Sequence, residues 1–288
     1  MSSLLSKQGV RRSFADAAAT YDAHDFLQRD TGDQLIQRLS LMKLRPKWIL
    51  DAGAGTGRNG RILASRFSGA RVIQLDLAGA MLKQGRRQTR RWASPHSFVC
   101  ADIEALPLRA ASVDLAFSNL ALQWMTDPAR ACAELKQVLK PDGVILFSTL
   151  GPRTLFELKE AFSAISTSKH VNDFTDLHLV GDLLARSGFS DPVIESEEVV
   201  VTYRDIYGLL RDLRGIGAVN QQAERRKGLS SRQFFLRLAE AYEPFRTDGL
   251  LPATYEVIYA HAWNSSRTPQ PEAPGEYKVP VTDIRRRP

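Results

Sequence analysis

Short apolar runs alternate with helically spaced segments along the first half of the chain. Residues 47–51 (KWILD), 71–76 (RVIQLD), 97–101 (SFVCA), 112–118 (SVDLAFS) and 144–149 (VILFST) are compact runs that predict buried strands. Between them, residues 59–67, 80–88 and 128–140 space their apolar positions as helices do. In the last, Cys132, Leu135, Val138 and Leu139 share one face, and Pro141-Asp142-Gly143 is the expected stop. Ahead of the first strand, residues 14–40 read as helices, with a partial stripe of Phe26, Leu27, Leu35, Ile36 and Leu39 ended by Pro46. Strands alternating with helices predict an α/β fold with a doubly wound, mostly parallel sheet.

The second half changes character. Residues 193–203 alternate and are rich in Val, which predicts a strand; 255–263 (YEVIYAHAW) predicts another. Residues 205–246 between them read as helices broken at Gly228. A helical insertion there is expected to cap the carboxyl edge of the sheet, where ligands of such folds bind. The division that follows is a helical lid at 1–45, an α/β core at 46–204, a helical cap at 205–250, a last core strand at 251–263 and a tail at 264–288. The tail is rich in Pro, Ser and Arg and is expected to be disordered.

At 288 residues, 43% hydrophobic and 25% charged, the chain is long enough for an ample core. It holds no apolar run of about 18 residues, and its start has no continuous apolar stretch, so neither a membrane span nor a secretory signal is expected. Cys100 and Cys132 sit in apolar surroundings without metal-ligand spacing, which predicts two reduced core thiols, no metal and a cytoplasmic setting. The net charge is +7, with basic clusters at Arg86, Arg87, Arg90 and Arg91, at Arg225, Arg226 and Lys227, and at Arg285, Arg286 and Arg287. Such clusters are solvated helix faces or the footprint of an acidic partner, nucleic acid or acidic carrier protein, and charge alone does not choose.

The sharpest local signal is Asp51-Ala52-Gly53-Ala54-Gly55-Thr56-Gly57, between a strand and a helix. Alternate glycines let backbone approach a ligand without Cβ atoms in the way. Gly55, Gly57 and Gly60 also fit a dinucleotide pattern, but Arg58 takes the third position when the count starts at Gly53. Asp51, at the strand tip, disfavours a pyrophosphate and favours a cationic ligand, so S-adenosylmethionine (SAM) fits better than a dinucleotide. Asp76, at the next tip, is placed to accept from ribose hydroxyls, and Asp102, with Ile103, to hold an adenine. The expected cofactor set is Asp51, Gly53, Gly55, Gly57, Asp76, Leu77, Asp102, Ile103, Ser118 and Asn119. SAM brings its own leaving group, so no triad or metal is required. His170, His178 and His261 are read as structural. At the fourth tip, residues 118–124 (SNLALQW) lack the proline-aromatic cluster that holds a flipped base, which favours a small or chain-like acceptor over nucleic acid.

Over roughly residues 10–263 the chain resembles the malonyl-acyl-carrier-protein O-methyltransferases of biotin synthesis, the BioC family. The resemblance is carried by Ala19-Thr20-Tyr21-Asp22, residues 118–124, Phe147-Ser148-Thr149-Leu150-Gly151-Pro152 with Thr154-Leu155, His170-Val171-Asn172, residues 211–218 (RDLRGIGA) and residues 251–255 (LPATY). Ala54 departs from the pattern, where many relatives carry Cys, at a backbone-dominated position. The resemblance implies a seven-stranded class I SAM-dependent methyltransferase that methylates the free carboxylate of a malonyl thioester on acyl carrier protein. It also implies Tyr21 as part of a lid over the cofactor. A carboxylate is ionised at neutral pH, so no general base is expected. A cation must hold it: Arg214 lies at the margin of the apolar stripe Ile206, Leu209, Leu210 and Leu213, Arg211 nearly opposite, and Arg153 after the fifth strand tip. The alternatives are another small-molecule methyltransferase, an assembly factor for mitochondrial complex I acting on a partner protein, and a nucleic-acid binder.

Overall fold

In the computed structural model, the described residues are 6–89, 94–168, 170–218 and 231–265. They form a seven-stranded sheet: β1 (Trp48–Ala52), β2 (Arg71–Asp76), β3 (His96–Cys100), β4 (Val113–Asn119), β5 (Leu139–Leu150), β6 (Ser190–Tyr203) and β7 (Leu251–Asn264). The order is β3-β2-β1-β4-β5-β7-β6, with β7 antiparallel to both neighbours. β1 pairs with β2 on one side and β4 on the other, so the winding reverses there. A crevice opens at the carboxyl ends of strands flanking such a reversal.

Helices cover both faces, which is why the central strands are continuously apolar. Successive residues of one strand serve opposite cores. Ile49, Leu115, Phe117, Leu146 and Tyr259 pack on one side, and Leu50, Ala116, Ile145, Ile258 and Ala260 on the other. The first core is roofed by α3 (Phe26–Arg38), α7 (Phe156–Ile165) and α10 (Arg232–Tyr242), the second by α6 (Pro128–Val138) and α8 (Leu177–Arg186). The remaining helices are α1 (Lys7–Ala17), α2 (Tyr21–His24), α4 (Arg58–Arg66), α5 (Gly79–Gln88) and α9 (Ile206–Gly215). Among the described residues, no helix is long and apolar enough to cross a membrane.

Several expectations shift. The third strand begins one residue earlier than its pattern suggested. α6 ends at Val138, because Leu139 turns extended and pairs with Val113; Pro141-Asp142-Gly143 then falls inside the start of β5, with Asp142 at φ 61°. The N-terminal helices begin at Lys7 rather than 14, since Val10, Phe14 and Ala17 already keep helical spacing. α7 had no predicted counterpart. Cys132 is a buried thiol pushed up to about 12 by burial, whereas Cys100 is exposed at the sheet edge and is not a core thiol. Gly228, the cluster Arg225, Arg226 and Lys227, Arg90 and Arg91, and the tail from 266 lie outside the described residues.

Candidate functional site

The glycine turn closes the tip of β1 against β2. The amides of Gly53 and Ala54 both donate to the Leu75 carbonyl, at 2.8 and 2.9 Å. Gly53 and Gly57 adopt φ of 79° and 77°; a Cβ would lie 2.3 Å from the Ala121 methyl at the first and 2.1 Å from Gln74 Oε1 at the second. Left-handed backbone and close approach both demand glycine at these two positions.

Three acids surround this turn. Asp76 accepts from the Gly55 amide and, through its other oxygen, from the Ala78 amide, both at 2.8 Å. Burial raises its pKa, and those two amides oppose the rise. Asp102 accepts from the Glu104 amide at 2.9 Å and from Lys7 Nζ at 2.6 Å. Asp51 is 1% exposed, and its Oδ2 has no hydrogen-bond partner. Burial pushes Asp51 up to about 7, with the Gly60 amide lowering it and the Asp76 charge raising it. A buried, half-satisfied carboxylate beneath a turn without Cβ atoms suits a cationic ligand laid across that turn.

One cavity brings together Tyr21, Gly53, Gly55, Asp76, Leu77, Asp102, Ile103 and Asn119 from the expected set. Asp51, Gly57 and Ser118 stand behind its wall. Ser118 Oγ braces β1 by donating to the Ala52 carbonyl at 2.8 Å. Asn119 is held by Ser148, whose Oγ donates to its Oδ1 at 2.7 Å, and donates in turn to the Gln28 carbonyl at 2.8 Å. Lys7, Phe14 and Met81 also line this cavity and were not expected. The helical spacing of Val10, Phe14 and Ala17 was the available signal for the lid, but it gave no sign that Lys7 bridges Asp102 and Glu104, at 2.6 Å to each.

A second, larger cavity shares Phe14, Tyr21, Leu120 and Trp124 with the first. Phe14 and Trp124 meet edge to face, their centroids 5.3 Å apart. Leu120 sits at φ 47°, its amide held by Ser148 Oγ at 3.1 Å, which is backbone strain at the boundary of the two cavities. The wall is otherwise mostly apolar, including Leu150, Leu155, Leu213 and Phe235. Gln28, Gln123 and Asn172 line it, and each buries a side-chain oxygen without a partner. Unpaired buried polar atoms are costly, and their grouping at one cavity makes it a candidate for binding a ligand with polar groups.

The three candidate arginines part company here. Arg214 lines the second cavity and, among the described residues lining it, is the one guanidinium or ammonium. It is exposed, at the rim rather than in a dry interior. Arg211 is exposed and outside the lining. Arg153 is ion-paired with Glu198 and lies over the Phe156 ring at 5.4 Å, away from both cavities. His170 lines the second cavity, stacked on Phe162 at 4.2 Å; His178 is exposed on α8, and His261 is half-buried in β7. Among the described residues, no group of three or more His, Cys, Asp or Glu is arranged to hold a metal.

The pattern of the methyltransferase domain family matches residues 50–147, which span the glycine turn and the three acids. Among known proteins, the chain is 46% identical over 271 residues to the malonyl-(acyl-carrier protein) O-methyltransferase of Laribacter hongkongensis, covering 92% of this chain and 91% of the relative. It is 48% identical to the protein of the same name from Methylovorus sp., covering 90% of each. The chain belongs to the malonyl-(acyl-carrier protein) O-methyltransferase family. Among solved structures, the YcgJ protein of Bacillus subtilis aligns with a TM-score of 0.58 at 17% identity, covering 81% of this chain and 98% of that one. A Haemonchus contortus phosphoethanolamine N-methyltransferase 2, in complex with S-adenosyl-L-methionine, aligns with a TM-score of 0.55 at 17% identity, covering 87% and 57%. At these identities the likeness establishes the class I SAM-dependent methyltransferase fold. The segments that carried the family resemblance gather at the two cavities: Tyr21 in the lid, residues 119–121 at the β4 tip, Thr154 and Leu155 after β5, and Arg214 on α9.

Proposed function

We propose that this protein transfers a methyl group from SAM to the free carboxylate of a malonyl thioester on acyl carrier protein, in the cytoplasm, giving the methyl ester for biotin synthesis. The observation that carries the reading is one cation, Arg214, on an apolar cavity that shares a wall with the nucleotide cavity. Asp76 would hold the ribose hydroxyls, Asp102 and Ile103 the adenine, and Asp51 the positive end of the cofactor, with Tyr21 above. When bound, SAM supplies a methyl group activated by its sulfonium.

The chain's own residues then bind, orient and exclude water. Phe14, Leu120 and Trp124 form the apolar collar where the cavities meet. Arg214 gives planar donors that fix both carboxylate oxygens, leaving a lone pair free to attack. No proton moves, because the acceptor arrives ionised. Esterification removes the charge that Arg214 held, so the product loosens as it forms.

The test is the mass gain of one methyl group on malonyl-carrier, measured beside malonyl-CoA and free carrier. Methylation of neither malonyl thioester overturns the reading, and methylation of free carrier would redirect it to a protein acceptor. Arg214→Ala should cut kcat/KM for malonyl-carrier about ten- to a hundredfold, the lower end reflecting its exposed position, with S-adenosylhomocysteine binding retained. Arg214→Lys should restore only part, since an ammonium keeps the charge but not the fork.

A further inference from the structure

The lid touches both halves of the site. Phe14 and Tyr21 line both cavities. On the cofactor side, the lid is tied down by Lys7 to Asp102 and Glu104, and by Asp22, which accepts from Thr56 Oγ1 and Gln88 Nε2, each at 2.6 Å. On the acceptor side it is tied to the end of α9. Thr20 Oγ1 donates to the Gly215 carbonyl at 3.1 Å, and Ser13 Oγ to the Gly217 carbonyl at 2.8 Å. His24 Nδ1 and Asp212 Oδ1 are paired at 2.8 Å. The final carbonyls of a helix lack partners within it; here the Thr20 hydroxyl supplies the donor for Gly215, the last residue of α9, and the Ser13 hydroxyl holds Gly217 just beyond it.

The fit around Gly215 is as specific as the bonds. A Cβ there would lie 2.3 Å from Cδ2 of the His24 ring, so the imidazole lies directly on the backbone of the residue after Arg214. Asp212 and Arg214 stand two residues apart, about 200° around the helix, so they leave it on opposite faces. A partner that holds Asp212 therefore fixes the rotation of the last turn, and with it the direction in which Arg214 projects. An exposed Arg at the rim has many rotamers to lose, so a fixed helix end matters to it more than to a packed side chain.

We propose that His24 is a positioning residue: paired with Asp212 and seated on Gly215, it sets Arg214 through the last turn of α9, so that lid closure over the cofactor also places the carboxylate clamp. This rests on the reading of Arg214 as that clamp. It makes the lid a strut between the two ligands and predicts that cofactor binding improves acceptor binding.

Steady-state kinetics with malonyl-carrier, read beside calorimetry of S-adenosylhomocysteine, tests it. His24→Ala should raise KM for malonyl-carrier about five- to twentyfold, with a smaller change in kcat and less than about a twofold change in S-adenosylhomocysteine affinity. His24→Asn, whose amide nitrogen falls near the place of Nδ1, should restore most of the loss. Gly215→Ala, which favours the helix but displaces the ring, should reproduce the His24→Ala defect in a folded protein. On an Arg214→Ala background, His24→Ala should add little, because the group it positions is gone. Full additivity there, equal weakening of both ligands, or unchanged KM in both His24→Ala and Gly215→Ala overturns the strut. If Arg214→Ala alone leaves KM unchanged, the clamp reading fails. If Arg214→Ala is impaired and the His24 variants are not, only the strut fails.

Discussion

Asp51 is a carboxylate whose charge the ligand-free fold resists. Its folded pKa of about 7 stands against about 3.9 for an unfolded chain, and desolvation is the leading cause. The sign of the consequence follows from linkage. A group with a raised folded pKa contributes stability that is full below the unfolded value and is lost as pH rises through the folded one. Between about pH 4 and 7 the ligand-free protein should therefore lose on the order of 2–4 kcal/mol through Asp51, with Asp76 shifting in the same direction. Asp51→Asn should raise Tm at pH 8 and flatten its decline with pH, while weakening SAM binding. Thermal denaturation across that range, with and without S-adenosylhomocysteine, checks both parts. A variant that melts lower than the parent at pH 8, or that keeps the parent's slope, contradicts the assignment. The same residue was legible in the sequence as an acid at a strand tip beside alternate glycines, but its burial and unpaired oxygen were not. They depend on the packing of β1, β2 and α4, which brings Gly60 so close that a Cβ there would lie 3.0 Å from Asp51 Oδ2 and 2.8 Å from Gln74 Nε2.

At the scale of elements, α1 begins seven residues before the point where sequence reasoning started the N-terminal helices, and it lines the first cavity. Lys7, at its first turn, bridges Asp102 and the nearly buried Glu104, whose carboxylate also accepts from the Thr126 and Asp127 amides. A cation shared by two acids near a low-dielectric wall is held better than a surface pair, although its own exposure screens it. Lys7→Met keeps the aliphatic stem and removes the charge. Release of S-adenosylhomocysteine should quicken about three- to tenfold, corresponding to roughly 0.6–1.4 kcal/mol, and stopped-flow displacement reads it directly. An unchanged or slower release would mean that α1 does not hold the cofactor cavity shut. The strands of the α/β half were legible because buried parallel strands are continuous apolar runs, and β2 falls at the predicted bounds. Elements joined by long-range contacts were harder. α7 carries Glu157 buried at 1%, accepting from the Thr254 hydroxyl and amide of β7, and a charge inside a helix masks its apolar stripe. The distinction among Arg153, Arg211 and Arg214 was only half legible. Helical angle separated the last two, but nothing in the sequence showed Glu198 waiting for Arg153 across β6.

At the scale of the whole molecule, the charge balance points to how a large acidic acceptor would arrive. The chain carries a net charge of +7. Among the described residues, Arg204, Arg211, Arg214, Arg232 and Arg237 are exposed on or beside α9 and α10, helices that line the second cavity, the one proposed for the acceptor. Acyl carrier proteins are acidic, so encounter should be accelerated by long-range attraction, with most of the effect in the association rate. Salt shortens the reach of that attraction, from a Debye length of about 10 Å at 0.1 M to about 3 Å at 1 M. The recess proposed for SAM is lined by fixed short-range partners, so SAM binding should respond far less. Between 50 mM and 500 mM salt, KM for malonyl-carrier should rise about tenfold or more, while S-adenosylhomocysteine affinity should move less than about twofold. Arg232→Glu combined with Arg237→Glu should reproduce much of the high-salt value at low salt and leave turnover of a short malonyl-pantetheine thioester unchanged, since that substrate carries no carrier surface. A flat salt response with malonyl-carrier, or equal losses on the carrier and the short thioester, would show that the basic roof does not receive the carrier.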